Sequence, residues 1–302
     1  ASADDVCDII SYTPFEVAGA TFTGTTTTDV SLTTGVLTAN GGAVFNEASA
    51  DVDFRIESNG NANMLFVDGG NDTVAIGTSD TDFDPVADNL IVGTGTGSNG
   101  ITIYTGSSAG NKGSIFFADT AAGDATNSRK GQITYEQNNE IMTFFTADTK
   151  AMEIGFIGAV NMPLQPAFLA RPTSNQANLP INATTTIAFG TEIFDQNADF
   201  ASNTFTAPVA GRYLLTTGLY SQSLDHDTSY YQLELATSNR VYYDIISMSG
   251  FDADVAYYEF KISVLADMDA SDTAYVRMGI PNNGAAQVQI DPTSNFSGHL
   301  VC

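Results

Sequence analysis

Few residues in this 302-residue chain are of a type that does chemistry, and their spacing limits what they can do. There are two histidines: His226 stands between two acids in Asp225-His226-Asp227, and His299 lies just ahead of the terminal Leu300-Val301-Cys302. Neither falls in a Ser-His-acid or metal-ligand spacing. His226 therefore reads as a solvated loop residue, and His299 as a packed or rim residue of a strand. The glycine run Gly93-Thr94-Gly95-Thr96-Gly97 lacks the lysine and the following helix of a phosphate-binding loop, so it reads as a turn. With no nucleophile, base or oxyanion set in view, an enzyme is not expected and no cofactor is required.

Carboxylates are the one site-like feature. Asp68 and Asp72 flank a Gly-Gly turn, and Asp267, Asp269 and Asp272 share another loop. Both groups supply the hard oxygens that calcium prefers, although neither matches the twelve-residue loop of a helix-flanked calcium site. A chain with 35 Asp and Glu places acids side by side in turns without any metal, and solvated acidic turns are the plainer reading. Calcium there would offset repulsion between assembled copies.

Composition narrows the rest. A net charge of −25 with only ten Lys and Arg excludes a phosphate-binding face, hence nucleic acid, and disfavours anionic membranes. No run approaches the roughly 20 apolar residues of a membrane-spanning helix, so membrane insertion is not expected. Trp is absent and turn formers abound, the composition of an all-β extracellular or virion-type protein. The chain begins at Ala1-Ser2-Ala3 without Met, as a mature chain does after removal of a signal peptide. The expected localisation is secreted, in an extracellular filament or at a cell surface, with a virion as the alternative.

The elements read as strands throughout. From Tyr213, residues alternate so that Tyr213, Leu215, Thr217 and Leu219 share one face. Pro208 and Gly211 just before them mark the turn that feeds this strand. Three blocks, Pro166-Ala167-Phe168-Leu169-Ala170, the span from Ile187-Ala188-Phe189 through Phe205-Thr206-Ala207-Pro208 to Gly211-Arg212-Tyr213, and the closing Phe296-Ser297-Gly298, resemble the globular head of complement component one-q and its tumour-necrosis-factor-like relatives. The resemblance implies a ten-stranded jelly-roll head over residues 166–302, packed as a trimer about an aromatic-rich axis. The stretch from about Asp225 to Asp272 does not align, so no loop site carries over.

Residues 45–160 show short apolar pulses separated by Gly, Asn and Asp, among them Val52-Asp53-Phe54-Arg55-Ile56, Met64-Leu65-Phe66-Val67 and Thr73-Val74-Ala75-Ile76. Strands this short cannot bury a core within one chain. Together with the runs around Gly113-Ser114-Ile115-Phe116-Phe117, Gly131-Gln132-Ile133-Thr134-Tyr135 and Met142-Thr143-Phe144-Phe145-Thr146, they resemble modules of trimeric phage tail fibres, which implies a β-rich shaft of three chains. Residues 1–44 then form an N-terminal arm and a Thr-rich β segment. Shaft and head agree on a homotrimer.

Cys7 and Cys302 complete the inventory. In the family that the head resembles, the last strand ends beside the first, near the stalk junction, which would leave Cys7 at the opposite end of the shaft. Disulfide Cα atoms must come within about 7 Å, so an intrachain bond is not expected unless the arm folds back. A bond from Cys7 of one subunit to Cys302 of another would join trimers end to end. The arm supports this, since Val6, Ile9, Ile10 and Tyr12 form a β-prone apolar stretch that could add as a strand to the head of the next trimer. An arm paired within one trimer, or two free buried thiols, are the alternatives. The expected function is a structural fibre subunit that polymerises head to tail with itself. The alternative is a phage or cell-surface fibre whose head binds a receptor or glycan.

Overall fold

The computed structural model describes residues 51–119, 127–281 and 283–302. These fall into two compact units divided between Ile101 and Thr102. The arm residues Val6, Cys7, Ile9, Ile10 and Tyr12 lie outside the described residues.

In the first unit the apolar pulses become strands β1 (Phe54–Ile56), β2 (Leu65–Asp68) and β3 (Thr73–Ile76), followed by β4 (Leu90–Val92). They form one sheet in the order β1-β2-β3-β4. The first three are antiparallel and β4 joins β3 in parallel. The only buried apolar side chains of this sheet are Phe66 and Ala75. Two side chains are no core for a sheet of this size, which needs apolar cover from elsewhere.

The second unit opens with an antiparallel meander: β5 (Lys112–Phe117), β6 (Gly131–Glu136), β7 (Ile141–Thr146), β8 (Thr149–Ile154) and β9 (Val160–Asn161). A single 3-10 turn at Asn127–Arg129 precedes β6. Pairing register puts Ile115, Ile133, Phe144 and Met152 in one cross-strand row, with Tyr135, Met142 and Ile154 in the next. None of these apolar side chains is buried, whereas Gln132, Thr134 and Thr143 on the opposite face are. The usual order of burial is inverted: the apolar face of this sheet is only partly covered by the described residues.

The head follows as two packed antiparallel sheets. Its strands are β10 (Ala167–Arg171), β11 (Ala183–Thr186), β12 (Thr191–Asp195), β13 (Phe200–Ala201), β14 (Thr204–Thr206), β15 (Gly211–Leu224), β16 (Tyr230–Thr237), β17 (Val241–Ser247), β18 (Val255–Met268), β19 (Thr273–Ile280), β20 (Gln289–Ile290) and β21 (Asn295–Leu300). Sheet I runs β12-β10-β21-β15-β18, with β20 beside β15, and sheet II runs β13-β14-β19-β16-β17, with β11 beside β19. Ten of these strands have three residues or more, as the jelly-roll resemblance implies, and β13 and β20 are two-residue additions.

Between the sheets lies an aromatic cluster. Phe168 stacks on Phe200 and Phe205 at 4.9 and 4.8 Å and meets Phe296 edge-on at 5.0 Å. The expected alternation from Tyr213 holds: Tyr213, Leu215, Thr217 and Leu219 are all buried. The Tyr213 hydroxyl reaches back to donate to the Val209 carbonyl at 2.8 Å, which ties down the Pro208–Gly211 turn. Gly298 is dictated by contact, since a Cβ there would sit 2.7 Å from Leu215 Cδ2 and 2.8 Å from Phe168 Cε1. The Phe296-Ser297-Gly298 block thus encodes one aromatic knob and the slot beside it. Truncation of Phe168 to Ala should remove the ring that three others touch and lower the unfolding free energy by about 3–5 kcal/mol, read from urea unfolding followed by near-ultraviolet circular dichroism.

Candidate functional site

Strand β15 pairs with β18 along its length, from Gly211↔Met268 to Leu224↔Val255. Fourteen strand residues span about 45 Å and so give the head two distant ends. One end holds the chain entry and exit. There β10 lies beside β21 with Ala167 opposite His299, Leu300 N donates to the Pro166 carbonyl, and Arg212 N donates to the Cys302 carbonyl. Cys302 is exposed and unpaired at this end, near where the chain enters the head. His299 is exposed on the outward face of sheet I, a rim position.

At the far end three loops are clasped together. His226 N and Nδ1 both approach Asp254 Oδ1, at 3.1 and 2.8 Å, and Gln287 Nε2 donates to Asp254 Oδ2 at 2.9 Å. Asp225, buried, accepts from Asp227 N and Ala285 N, and its own N–H donates to the Tyr231 hydroxyl. Gly284 is required here: its φ is +79°, and a Cβ would lie 2.6 Å from Thr228 Oγ1. The protonated imidazole is favoured, chiefly by its hydrogen bond to Asp254 and then by the charges of Asp227, Asp254 and Asp225, so the His226 pKa rises above 6.5. Hydrogen bonds from His226 and Gln287 pull Asp254 down from 3.8 to about 2.

Among the described residues, Asp225, His226 and Asp254 are the one group whose potential metal-ligating atoms lie within 4.8 Å of one another. Both Asp225 oxygens and both Asp254 oxygens already accept N–H groups, so the cluster works as a hydrogen-bonded clasp. Of the carboxylates singled out from the sequence, those of Asp68, Asp267 and Asp272 are similarly engaged. Asp68 accepts from Gly70 N, Asn71 N and Nδ2 and the Thr81 hydroxyl, all of which lower its pKa. Asp72 takes a left-handed turn conformation, φ 55°. Asp267 is gripped by both Arg240 terminal nitrogens. Asp272 Oδ2 accepts from Asn239 Nδ2 and from Asp269 N. These turns close themselves with protein donors.

The largest chemical opportunity is the outward face of sheet I. Leu214 lies opposite Leu265, and Tyr220 and Tyr257 stack with ring centroids 5.8 Å apart. Leu265 is 52% exposed and Tyr257 63%. Between them sits Gly218, where a Cβ would meet Asn295 Nδ2 and Glu259 Oε1 only at an ordinary 3.5 Å. Among the described residues neither the backbone nor the packing calls for a glycine here, and Gly218 itself is buried beneath its neighbours. Sequence reading placed an aromatic-rich assembly axis in the head without naming these residues, because β18 falls in the stretch that does not align. It also missed Asp254, which is 28 residues from His226 and reaches it only once the β16–β17 hairpin has folded.

Residues 167–301 match the C1q domain family. Among solved structures, the globular domain of the zebrafish complement 1qA protein is 15% identical, with a TM-score of 0.35, over 46% of this chain and 98% of that one. Murine APRIL at pH 8.5 is 11% identical, with a TM-score of 0.33, over 45% of this chain and 99% of that one. A second APRIL structure, at pH 5.0, is 14% identical at a TM-score of 0.33 over the same shares. No curated protein matches the chain. The C-terminal domain is therefore C1q-like, as its three sequence blocks imply; the fibre-shaft resemblance of the preceding residues has no counterpart in these matches.

The clasp should respond to pH from both sides. His226 has a raised folded pKa, so its contribution is complete below about pH 6.5 and is lost as pH climbs through the folded value. Asp254 has a depressed one, so its contribution is present above 3.8 and is lost as pH falls toward 2. Amide exchange at residues 225–228 and 284–287, corrected for intrinsic rates, should be slowest between about pH 4 and 6.5 and should quicken above and below. In His226→Ala the acceleration above pH 6.5 should vanish.

Proposed function

We propose that this chain is a structural subunit of an extracellular fibre, a homotrimer in which β-rich modules form the shaft and the C1q-like domain forms the head. The observation that carries the reading is the apolar face of the β5–β9 sheet, whose Ile115, Ile133, Phe144 and Met152 row is only partly covered by the described residues. The outward face of sheet I makes the same demand with Leu214, Tyr220, Tyr257 and Leu265. Threefold packing covers both at once and places Gly218 where subunits meet. C1q and tumour-necrosis-factor-like domains are structural or ligand-binding modules that form homotrimers, which agrees with this arrangement. No helix among the described residues is long and apolar enough to cross a membrane.

The same reading extends to polymerisation. Cys302 is exposed at the stalk-side end of the head, near an apolar hollow of about 430 Å³ lined by Met162, Leu164, Pro166, Val209 and Leu300. Val6, Ile9 and Ile10 of an arm from a second trimer have apolar side chains of the kind that this hollow would bury. Cys7 on that arm would then exchange with an oxidised disulfide donor of the secretory compartment and close onto Cys302.

Two outcomes follow. In Tyr257→Asp/Leu265→Asp, light scattering should give the mass of one chain where the parent gives three, with β content unchanged by far-ultraviolet circular dichroism; a parent that already runs as a monomer would count against the trimer. Non-reducing electrophoresis of native material should show a ladder of covalent multimers that collapses with reductant and is missing in Cys302→Ser. A single band under both conditions would remove the covalent filament and leave the trimer standing.

A further inference from the structure

The outward face of sheet II carries a second feature that assembly does not use. On it lies a hollow of about 420 Å³ lined by Thr184 from β11, Tyr230, Gln232 and Glu234 from β16, and Pro281 just beyond β19. Its floor is Gly279, placed by the ladder between Thr184 on one side and Gln232 on the other. A glycine inside a strand weakens it, and where one persists it marks a bulge, a bend or a place where something approaches the backbone. Here the ladder is regular on both sides, and Gly279 is not among the residues with positive φ. A Cβ would meet Thr184 Oγ1 at 3.5 Å and Gln232 Cβ at 3.7 Å, ordinary contact distances. The fold therefore tolerates a Cβ at this position and carries none, at the buried floor of the hollow.

What surrounds the hollow is polar and neutral. Gln232 Nε2 donates to Glu234 Oε1 at 2.7 Å, Glu234 Oε2 pairs with Arg277 Nη2 at 2.6 Å, and the Arg277 guanidinium lies 5.4 Å from the centre of the Tyr275 ring. The Glu234 side chain is only 8% exposed, and its charge is cancelled by that arginine. Arg277 Nε is sealed from solvent without a hydrogen-bond partner, a demand left at the back of the row. The Gln232 amide keeps its carbonyl and a second N–H to offer, Thr184 and Tyr230 each bring a hydroxyl, and the Tyr230 ring adds an apolar wall.

We propose that this hollow binds a neutral saccharide, whose vicinal hydroxyls pair with Gln232 and Thr184 and whose C–H face lies against Tyr230. Sites built from such groups select ligands that can satisfy them and reject those that cannot. An anionic sugar is disfavoured by a chain of net charge −25. The site lies on the face of the head opposite the patch of Leu214, Tyr220, Tyr257 and Leu265, so it does not rest on the trimer.

Saturation-transfer NMR on the full chain tests it, with a panel of glucose, galactose, mannose, fucose and N-acetylglucosamine as probes and sialic acid as the anionic control. At least one neutral sugar should receive saturation, and the signal should fall at least tenfold in Gly279→Leu, which fills the hollow, and in Gln232→Ala, which leaves the backbone alone. Both variants should keep the parent's near-ultraviolet spectrum, and Gln232→Ala decides alone if Gly279→Leu does not fold. No transfer to any neutral sugar, equal transfer to sialic acid, or transfer unchanged in Gln232→Ala would each overturn the proposal. Tyr257→Asp/Leu265→Asp should bind as the parent does, which keeps failure of this site distinct from failure of the trimer.

Discussion

A β-sheet has two faces, and a chain that makes more apolar faces than it can cover must borrow the rest. That constraint governs this molecule. Inside the head it is met twice over, because sheets I and II turn Phe168, Phe205, Tyr213, Leu215 and Phe296 toward one another and exclude water from them. Outside that core, among the described residues, it is met only in part: Ile115, Phe116 and Phe117 on β5 are each about half exposed or more, and Leu265 and Tyr257 on β18 likewise.

The two glycines on the outward faces divide along the same line. Gly218 lies among Leu214, Tyr220 and Lys261, on a face of mixed apolar and charged groups suited to a second copy of itself. Gly279 lies among hydroxyls and amides whose one charge pair is internally cancelled, a surface suited to hydroxyl groups. Gly298 is a third case, forced by contact with Phe168 and Leu215 inside the core. Equal in the sequence, the three residues differ in what stands where their side chains would have been.

Much of the head was legible because its signals are local. The period-two run from Tyr213, the turn at Pro208 to Gly211 and the Phe296-Ser297-Gly298 block each fix a strand with neighbours close in sequence. The apolar pulses of residues 45–160 likewise became β1, β2, β3, β5, β6 and β7. Strand β4 went unread because Leu90-Ile91-Val92 is three residues long and finds its parallel partner β3 across an acidic connection. The clasp went unread for a related reason: His226, Asp254 and Gln287 belong to three loops that meet only when β15 through β20 are in place. Residue type made Asp68, Asp72, Asp267, Asp269 and Asp272 either solvated turn residues or possible calcium ligands; that neighbouring N–H groups and an arginine hold the oxygens of Asp68 and Asp267 is something spacing does not carry.

The nearness of Pro166 and Cys302 has a mechanical meaning. Strands β10 and β21 run antiparallel, so the head's inlet and outlet lie at the same end, Leu300 N bonded to the Pro166 carbonyl. Tension between Pro166 and residue 302 would pass through the first rungs of that ladder and peel them singly, while the aromatic core hung beside the line of force. Tension from Pro166 to the far loops would load β15 and its partners in shear along their whole length, many hydrogen bonds at once. How strong this head is under load thus depends on which end is held, more than on how well it is packed.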